Sequence, residues 1–393
     1  MTNINELSHG GNVEEAARKL GLSTKQIIDF SANINPQGLP PGLKKYLRDS
    51  VDVIAHYPEI YASDLIDKLS GDAGLPSWSF LAAAGSTPLI YMLARHLGTA
   101  KHAIVAPAFS EYEAALKIAG LRNITYRILD ESTLFVLTPE KVEDILKDAP
   151  DMVILANPAN PTGRLVPNES LEILLKASTE KGFWLVVDEA FMGFCQEDRS
   201  LLAATKDNPS LIVLRSLTKI FAIPGLRLGY LVCGNQFFMK NLADTMEPWA
   251  INALAQKAGI FLLDKRDYLK KTPEITWGLR GYATKNLAPY FDFIPSDCNF
   301  LMGCLKYTKR YFTKGSRSGY PPPPAGTRRN DFIAPAEALK EKQKLLNFLF
   351  KQGLLVRDLD NMKGLAGGYL RLAVRPVDDV NRLVTALEVF YDV

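Results

Sequence analysis

The middle of the chain alternates two hydrophobic periods. β-rich runs recur at Ala103–Ala106, Ile124–Ile128, Met152–Ala156, Phe183–Asp188, Leu211–Leu214 and Leu228–Val232. Between them, 111–119, 139–147 and 168–180 carry apolar residues at the spacing of one helical face. Runs such as Leu211-Ile212-Val213-Leu214 offer no polar side to water, so they suit strands buried on both faces of a parallel sheet. Their alternation with amphipathic helices predicts an α/β fold with a mostly parallel sheet. From about residue 286 the pattern changes. Asn299–Met302 and Tyr369–Val374 predict strands, and 335–352 and 377–389 predict helices, so a smaller α+β unit is expected. The expected organisation is an N-terminal arm over 1–45, a large domain over 46–285 and a small C-terminal domain over 286–393. Gly315–Gly326 breaks all periodicity, and its four prolines, Pro321–Pro324, favour an extended loop without backbone donors.

At 393 residues the chain exceeds one small core. No apolar run approaches the roughly 18 residues of a membrane span. Met1–Gly10 lacks the basic and apolar regions of a secretory leader, so a cytoplasmic protein without a membrane partner is expected. Cys195, Cys233, Cys298 and Cys304 form no CxxC pair and few histidines are present, which predicts reduced thiols and no metal site. The net charge of +3 is uneven. Residues 305–345 hold ten Lys/Arg against three acids, a local +7 that leaves the rest at −4. A mildly acidic body with one basic, proline-rich insert near 307–340 does not read as a nucleic-acid binder.

The candidate chemistry falls at strand ends, where open α/β sheets bind ligands. Lys219 closes Ser216-Leu217-Thr218-Lys219, and Arg227 follows eight residues later. A lysine there is ordinarily solvated, but an enzyme using an aldehyde cofactor as electron sink needs one that forms a Schiff base. Ser216, Thr218 and Arg227 could hold that cofactor's phosphate. Asp188 ends a buried run, where a carboxylate needs a cation or a capping role. Asn160 lies in the turn Asn157-Pro158-Ala159-Asn160-Pro161-Thr162-Gly163. Gly85-Ser86-Thr87-Pro88 opens a helix over Pro88–Leu97, with Ser or Thr as the cap and N–H groups available to an anion. Phe109 could stack on a ring or pack in the core.

In this order and spacing, these residues resemble the fold-type I, aspartate-aminotransferase-like family of pyridoxal-phosphate (PLP) enzymes. The resemblance implies that Lys219 carries the cofactor, Asp188 pairs with its ring nitrogen and Asn160 with its ring oxygen. Gly85, Ser86, Thr87, Ser216 and Arg227 would surround its phosphate. Tyr57 resembles a tyrosine that reaches the partner subunit's cofactor phosphate, so a homodimer with shared sites is implied. Arg371 resembles the arginine that clamps a substrate carboxylate. Phe191 departs from the pattern, standing where many relatives have tyrosine.

His9-Gly10-Gly11-Asn12, Asp29-Phe30-Ser31-Ala32-Asn33-Ile34-Asn35-Pro36, the block Arg215–Tyr230 and Pro248-Trp249-Ala250-Ile251-Asn252-Ala253 narrow the resemblance. They are similar to the L-threonine-O-3-phosphate decarboxylases of cobalamin biosynthesis. This implies loss of the α-carboxylate from L-threonine phosphate or L-serine phosphate, leaving an amino alcohol phosphate. His9, Asn12, Ser31, Asn33, Arg357 and Arg371 would grip this small phosphorylated amino acid. The alternative is a histidinol-phosphate-type aminotransferase, because one cofactor core can host either reaction and substrate orientation decides between them.

Overall fold

The computed structural model describes residues 10–306, 336–365 and 367–391. Seven strands form the main sheet: β2 (Phe80–Ala83), β3 (His102–Ala106), β4 (Ile124–Ile128), β5 (Met152–Ala156), β6 (Trp184–Asp188), β7 (Leu211–Ser216) and β8 (Gly229–Cys233). Their order is β2-β8-β7-β6-β5-β3-β4. All pairs are parallel except those of β8, which runs against both its neighbours. Leu185, Val187, Leu211 and Val213 are fully buried, as strands covered by helices on both faces require. The register Ala156↔Asp188↔Leu214 aligns the carboxyl ends of β5, β6 and β7 at one edge.

A second, antiparallel sheet has the order β12 (Arg357–Asp358), β13 (Tyr369–Ala373), β10 (Phe300–Leu305), β9 (Phe291–Phe293). A third pairs β1 (Ile28–Asp29) in parallel with β11 (Leu354–Leu355). Phe30 N–H donates to the Leu355 carbonyl and its own carbonyl accepts from Ala373 N–H, each at 2.8 Å. The N-terminal segment is thereby stitched to strands more than 300 residues away.

The expected strands appear within two residues at most ends. The strand Phe80–Ala83 and the 22-residue helix Arg266–Leu287 were not anticipated. Phe-Leu-Ala-Ala is as compatible with a helix as with a strand, and Pro273 interrupts the helical reading. Most of the basic insert, with its proline run, lies outside the described residues. Lys342, one of the ten cations of residues 305–345, is only 1% exposed and pairs with Asp358 at 2.8 Å and with Asp360, so it belongs to the core. All four cysteines are buried free thiols. Among the described residues no helix is long and apolar enough to cross a membrane.

Candidate active site

At the carboxyl ends of β5–β7 lies a cavity of ≈360 Å³. Its lining brings together Gly85, Ser86, Thr87, Phe109, Asn160, Asp188, Ser216, Thr218, Lys219, Arg227, Arg357 and Arg371 with Ser31 and Asn33 of the N-terminal segment. Residues spread over 341 positions thus meet at the edge the main sheet defines.

One wall is a cationic cup at the start of the helix Ser86–Leu97. The start of this helix differs from the expected one. Gly85, not Ser or Thr, is the N-cap, and Ser86 and Thr87 are the first helical residues, with no side-chain capping bond. Gly85 has φ +95, and a Cβ on it would stand 2.7 Å from Arg227 Nη2. Only glycine lets the guanidinium lie against the helix start, where N–H groups and the helix dipole already favour an anion. Arg227 itself takes a left-handed φ of +59, an uncommon cost for a side-chain-bearing residue. Thr218 lines the cavity, but its hydroxyl already donates to the Leu228 carbonyl and accepts from Leu228 N–H, both at 3.1 Å. It therefore ties the lysine turn to the strand behind it.

Lys219 stands at the centre. Burial, with the charges of Arg227 and Arg371, pushes its ammonium down to about 8 against the pull of Asp188 and Asp29. A neutral amine that can attack an aldehyde is thus accessible near physiological pH. Asp188 ends β6 and is 6% exposed. Burial raises its carboxyl, opposed by the hydroxyl of Tyr112, the Ala190 N–H and the charge of Lys219. Tyr112 Oη donates to Asp188 Oδ2 at 2.8 Å, and Ala190 N–H to Oδ1 at 3.0 Å. Sequence reasoning missed Tyr112, because in Ser110-Glu111-Tyr112-Glu113-Ala114-Ala115-Leu116 it reads as one more core position. Phe109 caps the same helix and meets the Tyr112 ring edge-on at 5.8 Å. Phe191 lines the cavity and packs edge-on to Phe300 at 5.0 Å, so no hydroxyl stands where many relatives have tyrosine.

The opposite wall carries two arginines. Arg371 Nη1 donates to Asn160 Oδ1 at 2.5 Å and Nη2 to the Ser31 carbonyl at 2.8 Å. With its oxygen so engaged, the Asn160 amide is left to donate. Arg357 and Arg371 are direct partners across the β12–β13 ladder, and each is only 7% exposed. Burial first, then the neighbouring Arg357, pushes Arg371 down to about 9. Burial likewise lowers Arg357, which donates to Asn361 Oδ1 at 3.1 Å. The Asn33 amide oxygen is buried without a hydrogen-bond partner among the described residues.

Ser31 lines the cavity, but its side chain is engaged elsewhere. Its hydroxyl donates to Asp29 Oδ1 at 2.5 Å and accepts from Gly11 N–H at 3.0 Å, so its carbonyl serves the site. Asn12 caps the helix Val13–Leu20 and is not part of the cavity lining. Tyr57 is 81% exposed, outside the cavity of its own chain, with its ring 4.8 Å from that of Trp249. His9 lies outside the described residues.

A buried, weakly basic lysine, a carboxylate fixed at a strand end and a guanidinium-lined helix start form the donor set that a phosphorylated pyridine aldehyde requires. The residues fit PLP, and the class they define is the PLP-dependent enzyme. Residues 25–380 match the family model described as aminotransferase class I and II. The threonine-phosphate decarboxylase of Salmonella typhimurium is 33% identical over 97% of this chain and 95% of its own. A histidinol-phosphate aminotransferase of Desulfitobacterium hafniense is 30% identical over 93% of this chain and 92% of its own. The solved histidinol-phosphate aminotransferase of Clostridium acetobutylicum shares the fold with a TM-score of 0.77 at 24% identity, over 93% of this chain and 99% of that one. The chain belongs to the aminotransferase class I and II family, whose members are PLP-dependent enzymes.

Proposed function

We propose that this chain removes the α-carboxylate of L-threonine O-3-phosphate or L-serine O-phosphate, releasing CO2 and an amino alcohol phosphate for the nucleotide loop of a cobamide. The observation that carries the reading is the buried pair Arg357↔Arg371 on one ladder beside Lys219. Two guanidiniums held side by side out of water are costly unless anions neutralise them. A substrate with a carboxylate at one end and a phosphate at the other supplies both charges. The similarity to a threonine-phosphate decarboxylase over nearly the full length of both chains supports the same choice.

PLP, when bound, supplies the electron sink that accepts the pair left by the departing carboxylate. Lys219 would hold it, Asp188 would keep a proton on the ring nitrogen, and Asn160 would donate to the ring hydroxyl. Phe109 would cover a ring face, and Gly85–Thr87, Ser216 and Arg227 would bind its phosphate. Arg371, Arg357, Asn33 and the arm residue His9 would orient the substrate so that the carboxylate, not the Cα hydrogen, is presented for cleavage. Lys219, whose ammonium is lowered to about 8, would return a proton to Cα. Tyr57, exposed on its own chain, would reach the cofactor phosphate of a second copy in a homodimer.

Incubation with each phosphorylated amino acid, without a keto-acid acceptor, should release CO2. No CO2 from either, with glutamate formed from 2-oxoglutarate and histidinol phosphate, would replace this reading by the aminotransferase.

A further inference from the structure

The cavity accounts for Lys219, Asp188 and both arginines but not for Asp29, which does not line it. Asp29 is fixed in β1 opposite Leu355. Its Oδ1 accepts from Ser31 N–H at 2.8 Å and from the Ser31 hydroxyl at 2.5 Å, which locks the serine in one rotamer. The serine oxygen, its own proton committed, then accepts from Gly11 N–H at 3.0 Å. Gly10 lies so close over Ser31 that a Cβ would stand 2.3 Å from the Ser31 carbonyl oxygen. That carbonyl is the one that receives Arg371 Nη2. Gly10, Ser31 and Arg371 all line the cavity.

We propose that Asp29 is a positioning residue: acting through Ser31, it docks the Gly10–Gly11 segment on the cavity wall and aims the Arg371 guanidinium at the substrate. The substrate named here rests on the decarboxylase reading, whereas the latch itself rests only on the contacts above. A serine hydroxyl has a single proton, so an acceptor that takes it leaves the oxygen free to receive the Gly11 amide. Without Asp29 the hydroxyl can turn to other acceptors, and the two-glycine turn, which has no side chains of its own to pack, loses its attachment.

The test uses the holoenzyme. Asp29→Ala should raise KM for L-threonine phosphate by about tenfold or more, the loss of one or two bonds to a charged group, and leave kcat within about threefold. Amide hydrogen exchange at Gly11 should quicken by at least about tenfold, with the cofactor's visible absorbance retained. Asp29→Asn, which keeps the acceptor oxygen and removes the charge, should stay close to wild type in both readouts. Ser31→Ala should copy Asp29→Ala, and it decides the question if Asp29→Ala does not fold. Unchanged exchange at Gly11 in both Ala variants would overturn the latch whatever the substrate is. Quickened exchange with an unchanged KM would overturn the positioning role. If no variant and no wild-type protein releases CO2, it is the decarboxylase reading that falls, while exchange at Gly11 still decides the latch.

Discussion

Tyr112 Oη and Asp188 Oδ2 stand 2.8 Å apart with both side chains buried, so a fully enclosed phenol fixes the carboxylate assigned to the cofactor ring. The other carboxylate oxygen takes the Ala190 N–H, and Asp188 therefore has one donor on each oxygen. Removing the phenol hydroxyl leaves a buried acceptor with less support and allows burial to raise the carboxyl further. Tyr112→Phe should lower kcat by roughly 10- to 100-fold, the worth of about 1.5–3 kcal/mol for a hydrogen bond to a charged group. Steady-state rates with either phosphorylated amino acid check this; an unchanged kcat would remove Tyr112 from the machinery.

Lys219 makes a prediction that needs no substrate. Its ammonium is lowered from 10.5 to about 8 in the folded protein, chiefly by burial. Between those two values the unfolded chain holds the proton and the folded one does not, so stability rises with pH across that window. Below about 8 the full penalty applies, on the order of 3 kcal/mol. Lys219→Met should therefore stabilise the cofactor-free protein at pH 7, by an amount that shrinks from pH 8 upward and is gone near 10.5. Urea unfolding at a series of pH values measures it. On addition of PLP the same variant should keep the absorbance of the free aldehyde, without the shift that a covalent link to the lysine produces, because that amine is missing.

Much of this site was legible because its residues sit where local pattern and chemistry coincide. Asp188 ends an apolar run, Lys219 and Arg227 follow one strand, and Gly85 precedes a helix, so their placement follows from periodicity and spacing, and their roles from the resemblance to the PLP enzymes. What stayed hidden depends on partners far along the chain. Tyr112 serves Asp188 across 76 positions and looks locally like core. The Arg357↔Arg371 pairing depends on the register of an antiparallel ladder, which no local period reports. Ser31 serves the site through its carbonyl, because Asp29 and Gly11, distant or irregularly placed in sequence, occupy its side chain. The strand Phe80–Ala83 was missed for the opposite reason: four small or apolar residues carry too little pattern to distinguish strand from helix.

Gly85 tests the cationic cup. A Cβ there would meet Arg227 Nη2 at 2.7 Å, and the backbone φ of +95 is one that side-chain-bearing residues rarely take. Gly85→Ala should push the guanidinium off the helix start and add backbone strain of about 1–3 kcal/mol. The expected outcome is PLP affinity reduced by at least about tenfold, read from fluorescence or absorbance titration of the cofactor-free protein, with a lower midpoint of thermal unfolding. Retained affinity would mean that the phosphate is held elsewhere.

The paired arginines make the most direct separation of stability from function. Arg357 faces Arg371 on the ladder, and after burial its charge is the largest influence lowering Arg371. In the ligand-free protein this arrangement stores repulsion and desolvation that the proposed dianionic substrate would relieve. Arg357→Met keeps most of the buried volume, removes one cation and lets Arg371 regain proton affinity. Replacing a buried charge by a packed apolar side chain is often neutral or stabilising by about 1–4 kcal/mol. The variant should therefore unfold at equal or higher temperature than wild type without ligand, and yet show KM for the phosphorylated substrate raised by about tenfold or more. Differential scanning calorimetry and steady-state kinetics on the same preparation check both halves. A variant that loses stability while its KM is unchanged would assign Arg357 to the scaffold and leave the substrate's second anion without this partner.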